Sequence, residues 1–172
     1  LLDEVDRFPV SAGKEGDPIA LAVKRTTTFW NRKIVEVSTP TVKGISKIDR
    51  DFENSTAEEL EYACPECGAF QPLEWAQVKF DHVSGQNTAT VLGMECKHCG
   101  CLSKENVWKR QPHRWTGKYP GRKWRGFHLN EFASPWRTWD EIVEDFLTAK
   151  HDSVEALKVW TNTALGLSWE EQ

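Results

Sequence analysis

Four cysteines form two closely spaced pairs that could hold one metal ion. Two residues separate Cys64 from Cys67, two separate Cys96 from Cys99, and a glycine follows each pair. This gap lets both thiolates of a pair face one ion, and the glycine lets the backbone curl so that amide N–H groups can point at the sulfurs. Two such pairs complete a tetrahedral site without an open position, which is typical of structural zinc. The sequence therefore predicts one structural Zn²⁺ bound by all four thiolates.

Disulfide bonds are the alternative use of these cysteines. The chain has five cysteines, an odd number, and no signal-peptide pattern opens it. Both facts favour metal over disulfides for paired CxxC motifs. We expect Cys101 to be a free thiol, because tetrahedral zinc has no place for a fifth ligand. His98, which lies between two ligands, is expected to point away from the ion.

A β-hairpin is expected between the two cysteine pairs. Apolar residues at Leu73, Trp75, Val78 and Phe80 begin it, residues 84–87 form the turn, and residues 88–94 return. The hairpin and the two pairs together predict a zinc ribbon.

A second candidate site lies near the beginning of the sequence. Leu1 and Leu2 look like the tail of a buried strand that runs into Asp3 and Glu4. At the carboxyl end of a strand, one carboxylate can hold Mg²⁺ through water while the next deprotonates an attacking water. A Walker B strand followed by a catalytic glutamate has this arrangement. A short acidic turn is also common on a solvated surface, so the motif alone leaves both interpretations open.

The segments that follow favour an α/β arrangement. Asp17 and Pro18 are a good helix start, and the helix is expected to end near Phe29. Residues 33–37 then predict a strand, which the hydroxyl residues Ser38 and Thr39 close. This order is typical of a parallel sheet that binds its ligand at the carboxyl ends of the strands. No GxxxxGK[ST] loop occurs in the chain, so we expect any phosphate-binding loop to lie upstream.

One short segment is strongly basic although the whole chain has a net charge of -4. Residues 103–127 contain eight Lys and Arg and one Glu, a net charge of +7. Cations neutralise phosphates and aromatic faces can stack on bases, so this segment is a candidate DNA surface. A solvated loop anchored by packed tryptophans is the alternative. The candidate DNA-binding residues are Lys109, Arg110, Arg114, Lys118, Arg122, Lys123 and Arg125, interleaved with Trp108, Trp115, Tyr119 and Trp124.

Two structural helices are expected towards the end of the chain. Thr138 and Glu141 form a capping box, and apolar residues follow at helical spacing. Asp152 or Ser153 caps the second helix, which Gly166 ends. No apolar run approaches the length of about 18 residues that a membrane-spanning helix needs.

Taken together, these motifs resemble the large terminase subunit of tailed phages, in particular the lambda-like gpA type. Each motif is short, but their order and spacing are specific and span nearly the whole chain. The segments that carry the resemblance are Leu-Asp-Glu-Val-Asp (2–6), Gly-Asp-Pro (16–18), Lys-Arg-Thr (24–26), Ser-Thr-Pro-Thr (38–41), Cys-Pro-Glu-Cys-Gly (64–68), Gly-Phe-His-Leu-Asn (126–130), Ser-Pro-Trp (134–136) and Asn-Thr-Ala-Leu-Gly (162–166).

The resemblance implies an α/β fold, namely part of a P-loop ATPase sheet of the ASCE type with an inserted four-cysteine zinc ribbon and carboxyl-terminal helices. Residues 1–60 would be the distal half of the ATPase domain, and residues 61–112 the ribbon. Residues 113–172 would return to the ATPase core and lead towards a nuclease domain.

The function implied by the resemblance is DNA packaging. ATP hydrolysis would drive double-stranded DNA into the procapsid, with Asp3 associated with Mg²⁺ and Glu4 as the base. Ser38 and Thr39, with Thr41 as an outside candidate, would sense the γ-phosphate. The Walker A loop and the nuclease carboxylates would lie outside this chain, which alone is expected to be inactive.

The implied partners are double-stranded DNA, the terminase small subunit, the portal and procapsid, and further copies of the subunit, in the host cytoplasm and without a membrane. The implied cofactors are Zn²⁺, ATP and Mg²⁺. A non-enzymatic zinc-ribbon module that binds nucleic acid remains the alternative function.

Overall fold

The computed structural model describes residues 1–83 and 85–171. These residues contain three small β-sheets and five α-helices. The strands are β1 (Leu2–Asp3), β2 (Glu36–Val37), β3 (Glu58–Ala63), β4 (Phe70–Pro72), β5 (Val78–His82), β6 (Ala89–Glu95), β7 (Leu102–Ser103), β8 (His113–Gly117) and β9 (Phe127–His128). The helices are α1 (Pro18–Arg25), α2 (Lys47–Glu53), α3 (Glu105–Trp108), α4 (Trp139–Asp152) and α5 (Val154–Ala164). The chain is therefore mixed α/β, as predicted.

The first sheet joins β1 and β2 in parallel, and α1 lies between them in the chain. The predicted helix start is confirmed, since the Asp17 carboxylate accepts a hydrogen bond from the N–H of Ile19. The predicted end near Phe29 is wrong. The hydroxyls of Thr26 and Thr27 bond carbonyls of the last turn, so the helix stops at Arg25. The strand predicted over 33–37 is paired only at Glu36 and Val37, opposite the two residues of β1.

The second sheet is built around β3. β8 pairs with it antiparallel over five residues on one side, and β4 (antiparallel) and β9 (parallel) share the other side. Because β3 and β8 come before and after the cysteine-containing segment, their pairing closes that segment at its base. The expected boundary after residue 60 falls inside β3, and the one after residue 112 falls directly before β8. The division itself stays a prediction.

The third sheet contains the predicted hairpin. β5 and β6 pair antiparallel, and β7 adds a short third strand to β6. Trp75, expected to begin the hairpin, instead lies in a 3₁₀ turn directly before β5. Of the expected turn residues, Ser84 lies outside the described residues.

Both predicted carboxyl-terminal helices are confirmed, and α4 covers β6. Thr138 and Glu141 form the capping box of α4, and Ser153 rather than Asp152 caps α5. Two carboxylates on α4, those of Asp140 and Glu144, accept hydrogen bonds from backbone N–H groups of β6. None of the helices in residues 1–83 and 85–171 has the length and apolar content that crossing a membrane requires.

The core between the hairpin and these helices is rich in tryptophan. Trp108 and Trp139 are fully buried, and Trp160 packs edge-on against Trp75. Each of the three buried indole N–H groups donates to a backbone carbonyl, of Met94, Phe132 and Ile142 respectively. The core therefore buries these large rings without leaving their polar atoms unpaired.

Candidate metal centre and strand-end site

The two cysteine pairs adopt the same backbone turn. In each pair the N–H of the following glycine bonds the carbonyl of the first cysteine, at 2.9 Å for Gly68 and 3.0 Å for Gly100. Both glycines have a φ near +70°, at 73° and 72°, in the left-handed region that glycine tolerates best. Backbone N–H groups within the turns approach the sulfurs, for example His98 N at 3.3 Å from Cys96 Sγ. The predicted curl of the backbone towards the thiolates is present in both turns.

The four sulfurs meet at one point. All four Sγ atoms of Cys64, Cys67, Cys96 and Cys99 lie within 4.8 Å of one another. Two of the separations are 3.7 Å (Cys64 to Cys99) and 3.8 Å (Cys67 to Cys96). With a Zn–S bond of about 2.3 Å, the edge of an S₄ tetrahedron is about 3.8 Å. The cluster therefore has room for one tetrahedral metal ion.

Cys101 lies beside this cluster but is not a member of it. Its Sγ is 3.3 Å from Cys64 Sγ, within hydrogen-bonding distance. Desolvation and hydrogen bonds to the sulfurs of Cys64 and Cys99 raise the pKa of the Cys101 thiol to about 12. A neutral thiol at Cys101 can donate its S–H to Cys64. His98 is exposed and is not in the cluster either.

Two buried glutamines, which the sequence interpretation missed, hold the second cysteine pair. Gln71 is only 2% exposed, and its Nε2 donates to Cys96 Sγ at 3.0 Å. Its Oε1 accepts from the N–H of Lys97 at 2.8 Å and from Gln77 at 2.9 Å. These contacts fix the sulfur of Cys96 and the turn that follows it, as hydrogen bonds around metal ligands commonly do.

Hydrogen bonding and burial shift the pKa values of Cys96 and Cys67 in opposite directions. Burial alone would raise the pKa of Cys96, but N–H groups of Cys99, Gln71 and His98 outweigh it and lower the pKa to about 6. For Cys67, the N–H of Ala69 lowers the pKa, but desolvation and the neighbouring thiols raise it to about 12. The thiolate form is thus favoured at Cys96. A bound divalent cation would stabilise the thiolate form of all four cysteines.

The strand-end residues come together at the carboxyl ends of β1 and β2. Asp3 is opposite Val37 in the sheet, so Glu4 and Ser38 leave adjacent strands at the same edge. The N–H of Asp6 donates to Ser38 Oγ at 3.2 Å, and Arg7 Nη2 donates to Thr39 Oγ1 at 3.5 Å. The loop that begins at Glu4 therefore contacts, through Asp6 and Arg7, the loop that carries Ser38 and Thr39, and Asp3 lies at the end of β1.

Glu4 has an unusual backbone conformation. Its φ of 54° and ψ of 47° lie in the left-handed region, and its carboxylate is 3.9 Å from Arg7 Nε. Residues other than glycine seldom adopt this conformation, and where they do the strain tends to coincide with a functional site.

Asp6, which the sequence interpretation did not single out beyond its motif, connects these loops to α2. One carboxylate oxygen accepts from the hydroxyl of Thr41 and the other from the N–H of Ile48, both at 2.8 Å. Partial burial alone would raise the pKa of Asp6, but hydrogen bonds from Ser46, Ile48 and Thr41 outweigh it and lower the pKa. Asp6 is therefore an ionised structural link between the two loops and the next helix.

The predicted DNA-binding residues fall into two groups. Arg110, Lys118 and Lys123 are exposed, and none forms an ion pair with another described residue. The other four are bound within the chain: Lys109 to Glu105 and two carbonyls, Arg114 to Glu61, Arg122 to the carbonyls of Glu53 and Ser55, and Arg125 to Glu58. Lys109 has three partners, as many as its ammonium group has donors.

The aromatic residues of the same segment also divide. Trp108 is fully buried, as the alternative of packed anchors predicts, whereas Trp115, Tyr119 and Trp124 are 40%, 36% and 55% exposed. Arg122 stacks on Tyr119 with its guanidinium carbon 3.7 Å from the ring centre. The exposed surface of β8 and the following loop thus combines cations with accessible rings.

Comparisons with known proteins agree with the order of these motifs. Residues 1–117 match the family model for the phage terminase large subunit gpA, ATPase domain, and residues 124–172 match that for the terminase large subunit gpA, endonuclease domain. The chain is 29% identical over 192 residues to the terminase large subunit of Enterobacteria phage P21, and 27% identical over 191 residues to that of Escherichia phage lambda. Each match covers 98% of this chain but 30% of the relative's length. No solved structure matches the chain.

Proposed function

Because the chain belongs to the phage terminase large subunit gpA family, we propose that it forms part of a viral DNA-packaging motor. In this motor, ATP hydrolysis drives double-stranded DNA into the procapsid, and the nuclease carboxylates lie outside this chain although residues 124–172 match the endonuclease model. The observation that carries the proposal is the pairing of β1 with β2, which supports a shared site for Asp3, Glu4, Ser38 and Thr39. A zinc-ribbon module that only binds nucleic acid would give no reason for this pairing.

Each residue of the strand-end site has a proposed role. Asp3 would hold Mg²⁺, and Glu4 would take the proton of the attacking water. Mg²⁺-bound ATP supplies the phosphoanhydride bond that is cleaved. Ser38 and Thr39, on the loop that contacts Asp6 and Arg7, sense the γ-phosphate, with Thr41 beside them. The Arg7 side chain lies between Glu4 and Thr39 and can hold both in place before the nucleotide binds.

The roles of Asp3 and Glu4 can be tested in the full-length subunit that contains this chain. Removal of a general base typically lowers a rate by about 10²–10⁴-fold, so Glu4→Gln should lower ATP turnover by that factor while ATP binding persists. Glu15→Gln is the matched control, because Glu15 is exposed and lies in the same amino-terminal segment. Near-normal turnover in Glu4→Gln would remove Glu4 from the role of base.

We further propose that Cys64, Cys67, Cys96 and Cys99 bind zinc in a ribbon that stabilises the motor. The two tetrahedral edge lengths and the absence of an open ligand position support a structural role. The ion holds the inserted segment together, and the proposed ATP chemistry takes place elsewhere.

The proposed DNA surface is the basic segment from Lys109 to Arg125. Arg110, Lys118 and Lys123 are its leading contacts because they are exposed and form no ion pair with a described residue, although Lys118 and Lys123 lie over the rings of Tyr119 and Trp124. Arg114, Arg122 and Arg125 are held beside them by the ion pairs and carbonyl contacts described above. Backbone contacts without sequence preference suit translocation along double-stranded DNA. The remaining proposed partners are the small subunit, the portal and procapsid, and further copies of the subunit, in the host cytoplasm.

The DNA surface can be tested by the salt dependence of binding. The slope of log K against log salt is negative, and each lost phosphate contact makes it less steep by about 0.9. The double variant Lys118→Ala/Lys123→Ala should therefore make the slope less steep by about 1.8 for duplex DNA of any sequence. Lys14→Ala/Lys24→Ala removes the same charge from the amino-terminal segment and should leave the slope unchanged. An equal change in both double variants would contradict the assignment.

A further inference from the structure

The loop that follows β2 is held by residues from the far end of the chain. This loop carries Ser38 and Thr39, and its next residues contact the end of α5 and the segment after it. Asn162, the contact on α5, lies 122 residues from Pro40 and 121 residues from Thr41 in the sequence. The end of α5 and the segment after it fall within residues 124–172, which match the endonuclease family model, whereas the loop falls within the part that matches the ATPase model. The contact therefore joins the two family-matched parts directly at the proposed γ-phosphate sensor.

Backbone pairing forms the outer half of this joint. The N–H of Trp169 donates to the carbonyl of Thr41 at 2.8 Å, and the N–H of Lys43 donates back to the carbonyl of Trp169 at 2.9 Å. Val42 and Trp169 form a parallel bridge. An ion pair between Lys43 and Glu170 lies beside it. Residues 168–170 are thus paired with the loop much as an added strand would be.

Asn162 forms the inner half of the joint. Its side-chain Nδ2 donates to the carbonyl of Pro40 at 2.5 Å and to that of Thr41 at 2.6 Å. The residue is only 5% exposed, although it lies on α5. Its Oδ1 is buried and has no hydrogen-bond partner among the described residues.

The residues that follow Asn162 in the chain contact the sheet around β3. The carbonyl of Leu165 lies 3.0 Å from His128 Nε2, and His128 belongs to β9, which pairs with β3. Beside it, a Cβ placed on Gly166 would lie 3.0 Å from the carbonyl oxygen of Leu129. Leu165 and Gly166, which follow α5, are therefore packed closely against His128 and Leu129, so a displacement of α5 must also shift residues 165–170 or break these contacts.

We propose that Asn162 is a positioning residue that couples the loop after β2 to residues 165–171. The inference rests on the proposed function, because it needs Ser38 and Thr39 to respond to the nucleotide. These hydroxyl residues are followed directly by Pro40 and Thr41, whose carbonyls Asn162 holds. A movement of the loop with the γ-phosphate must either move α5 or break these two hydrogen bonds. The nucleotide state is thereby passed to residues 165–171, which belong to the nuclease-matched part.

Hydrogen exchange in the full-length subunit tests this coupling. Exchange of the peptide covering residues 165–171 is compared in ADP and in a non-hydrolysable ATP analogue, because the Trp169 amide belongs to the joint. Coupling between sites is typically about 5- to 150-fold, so the wild type should show a change of about tenfold between the two nucleotides. In Asn162→Ala the change should fall below about twofold, with ATP still bound. Thr163→Ala is the matched control, since Thr163 is exposed on the same helix and bonds only the carbonyl of Val159.

The outcomes separate this inference from the proposed function. A nucleotide-dependent change that survives in Asn162→Ala overturns the coupling, as does a wild type that hydrolyses ATP without any change in this peptide. Absence of ATP turnover in the wild type overturns the proposed function, and the coupling with it. A purely structural role of Asn162 would speed exchange equally in both nucleotides. Asn162→Asp, which keeps the shape but replaces the donor with oxygen, carries the same expectation and serves if the alanine variant does not fold.

Discussion

The cysteine pairs are embedded in a continuous core, whereas the strand-end residues rest on a few hydrogen bonds. Around the cysteines, Met94 and Trp108 are fully buried, and three strands, a buried glutamine pair and α4 enclose the segment. At the strand-end site, β1 and β2 contain two residues each, and Val37 is 48% exposed. The first region is stabilised by burial and by four convergent thiolates, and the second by polar contacts to segments distant in sequence.

This difference matches what each region is proposed to do. A structural metal site gains from rigidity, because any loss of geometry costs ligand bonds. A site that senses a nucleotide must change its contacts, and regions that move in this way have few buried apolar contacts. The comparison predicts that substitutions near the cysteines change stability most. Substitutions near the strand ends should change stability little and activity much.

Loss of one cysteine ligand should have the largest effect. Zinc binding supplies about 10–16 kcal/mol of folding free energy in zinc-finger peptides, so Cys96→Ser should release the metal and unfold residues 58–117. Metal content and hydrogen exchange of β5 and β6 measure this. Cys101→Ser is the control, since Cys101 lies outside the four-sulfur cluster, and it should keep the full metal content. A wild type without bound zinc, or equal metal loss in both variants, would contradict the site.

A steric change in the same region should be the next largest. A Cβ on Gly93 would lie 2.5 Å from the carbonyl oxygen of Ser103 in β7, and Gly93 has a φ of 154°. Overpacking typically costs about 1–3 kcal/mol and backbone strain about 1–3 kcal/mol, so Gly93→Ala should lower the free energy of unfolding by about 2–6 kcal/mol. Thermal unfolding measures the loss. Gly121→Ala, where nothing lies within 4 Å of the added Cβ, should change stability little. Similar melting temperatures for both variants would show that the strands around Gly93 accommodate an added methyl group, contrary to the prediction.

How far the sequence predicted each region follows from how local its contacts are. The turns around Cys64 and Cys96, the hairpin and the capping box of α4 depend on residues a few positions apart, so spacing and periodicity revealed them. Asn162 and Asp6 bond partners 122 and 42 residues away, and Gln71 bonds a sulfur 25 residues away. A polar residue type within a helix or strand pattern gives no sign of such a distant partner. In the sequence, Asn162 stood out only as part of a segment that resembles the family. Nothing in the sequence indicated which residue it would contact.

A smaller effect on stability is expected at Asp6, together with a pH dependence. Hydrogen bonds to a charged group are worth about 1.5–3 kcal/mol, and partial exposure reduces this, so Asp6→Asn should cost about 1–2 kcal/mol at pH 7. The folded-state pKa of Asp6 is lowered from its ordinary value of 3.8. Its contribution is therefore fully present well above pH 3.8 and is lost as the pH falls through the folded-state pKa.

Unfolding measured from pH 7 down to pH 3 tests this sign. The difference between wild type and Asp6→Asn should shrink on acidification. Asp81→Asn is the control, because Asp81 is exposed on β5 and its carboxylate accepts no hydrogen bond from a described side chain. A difference that grows as the pH falls would mean that Asp6 is protonated in the folded state.

The smallest effect on stability is expected at Ser38, for which another serine in the chain is a closely matched control. Its hydroxyl accepts from the N–H of Asp6 at 3.2 Å and donates to the carbonyl of Thr39 at 2.9 Å. Ser11 is a closely matched control, since its hydroxyl accepts from the N–H of Gly16 at 3.2 Å and donates to the carbonyl of Gly13 at 2.8 Å. Net hydrogen-bond contributions are about 0.5–1.5 kcal/mol, so Ser38→Ala and Ser11→Ala should lower stability by similar amounts, about 1 kcal/mol or less.

ATP turnover in the full-length subunit then separates the two serines. Ser11→Ala should turn over ATP like the wild type, and Ser38→Ala should be slower in the presence of DNA by at least about tenfold, equivalent to about 1.4 kcal/mol of barrier. The two variants lose the same kinds of bond, so any excess effect arises from where Ser38 lies, on the loop that Asn162 holds and in contact with Asp6. Equal turnover in both variants would make Ser38 an ordinary loop residue. The polar contacts at the strand ends would then serve stability, as the contacts around the cysteines do.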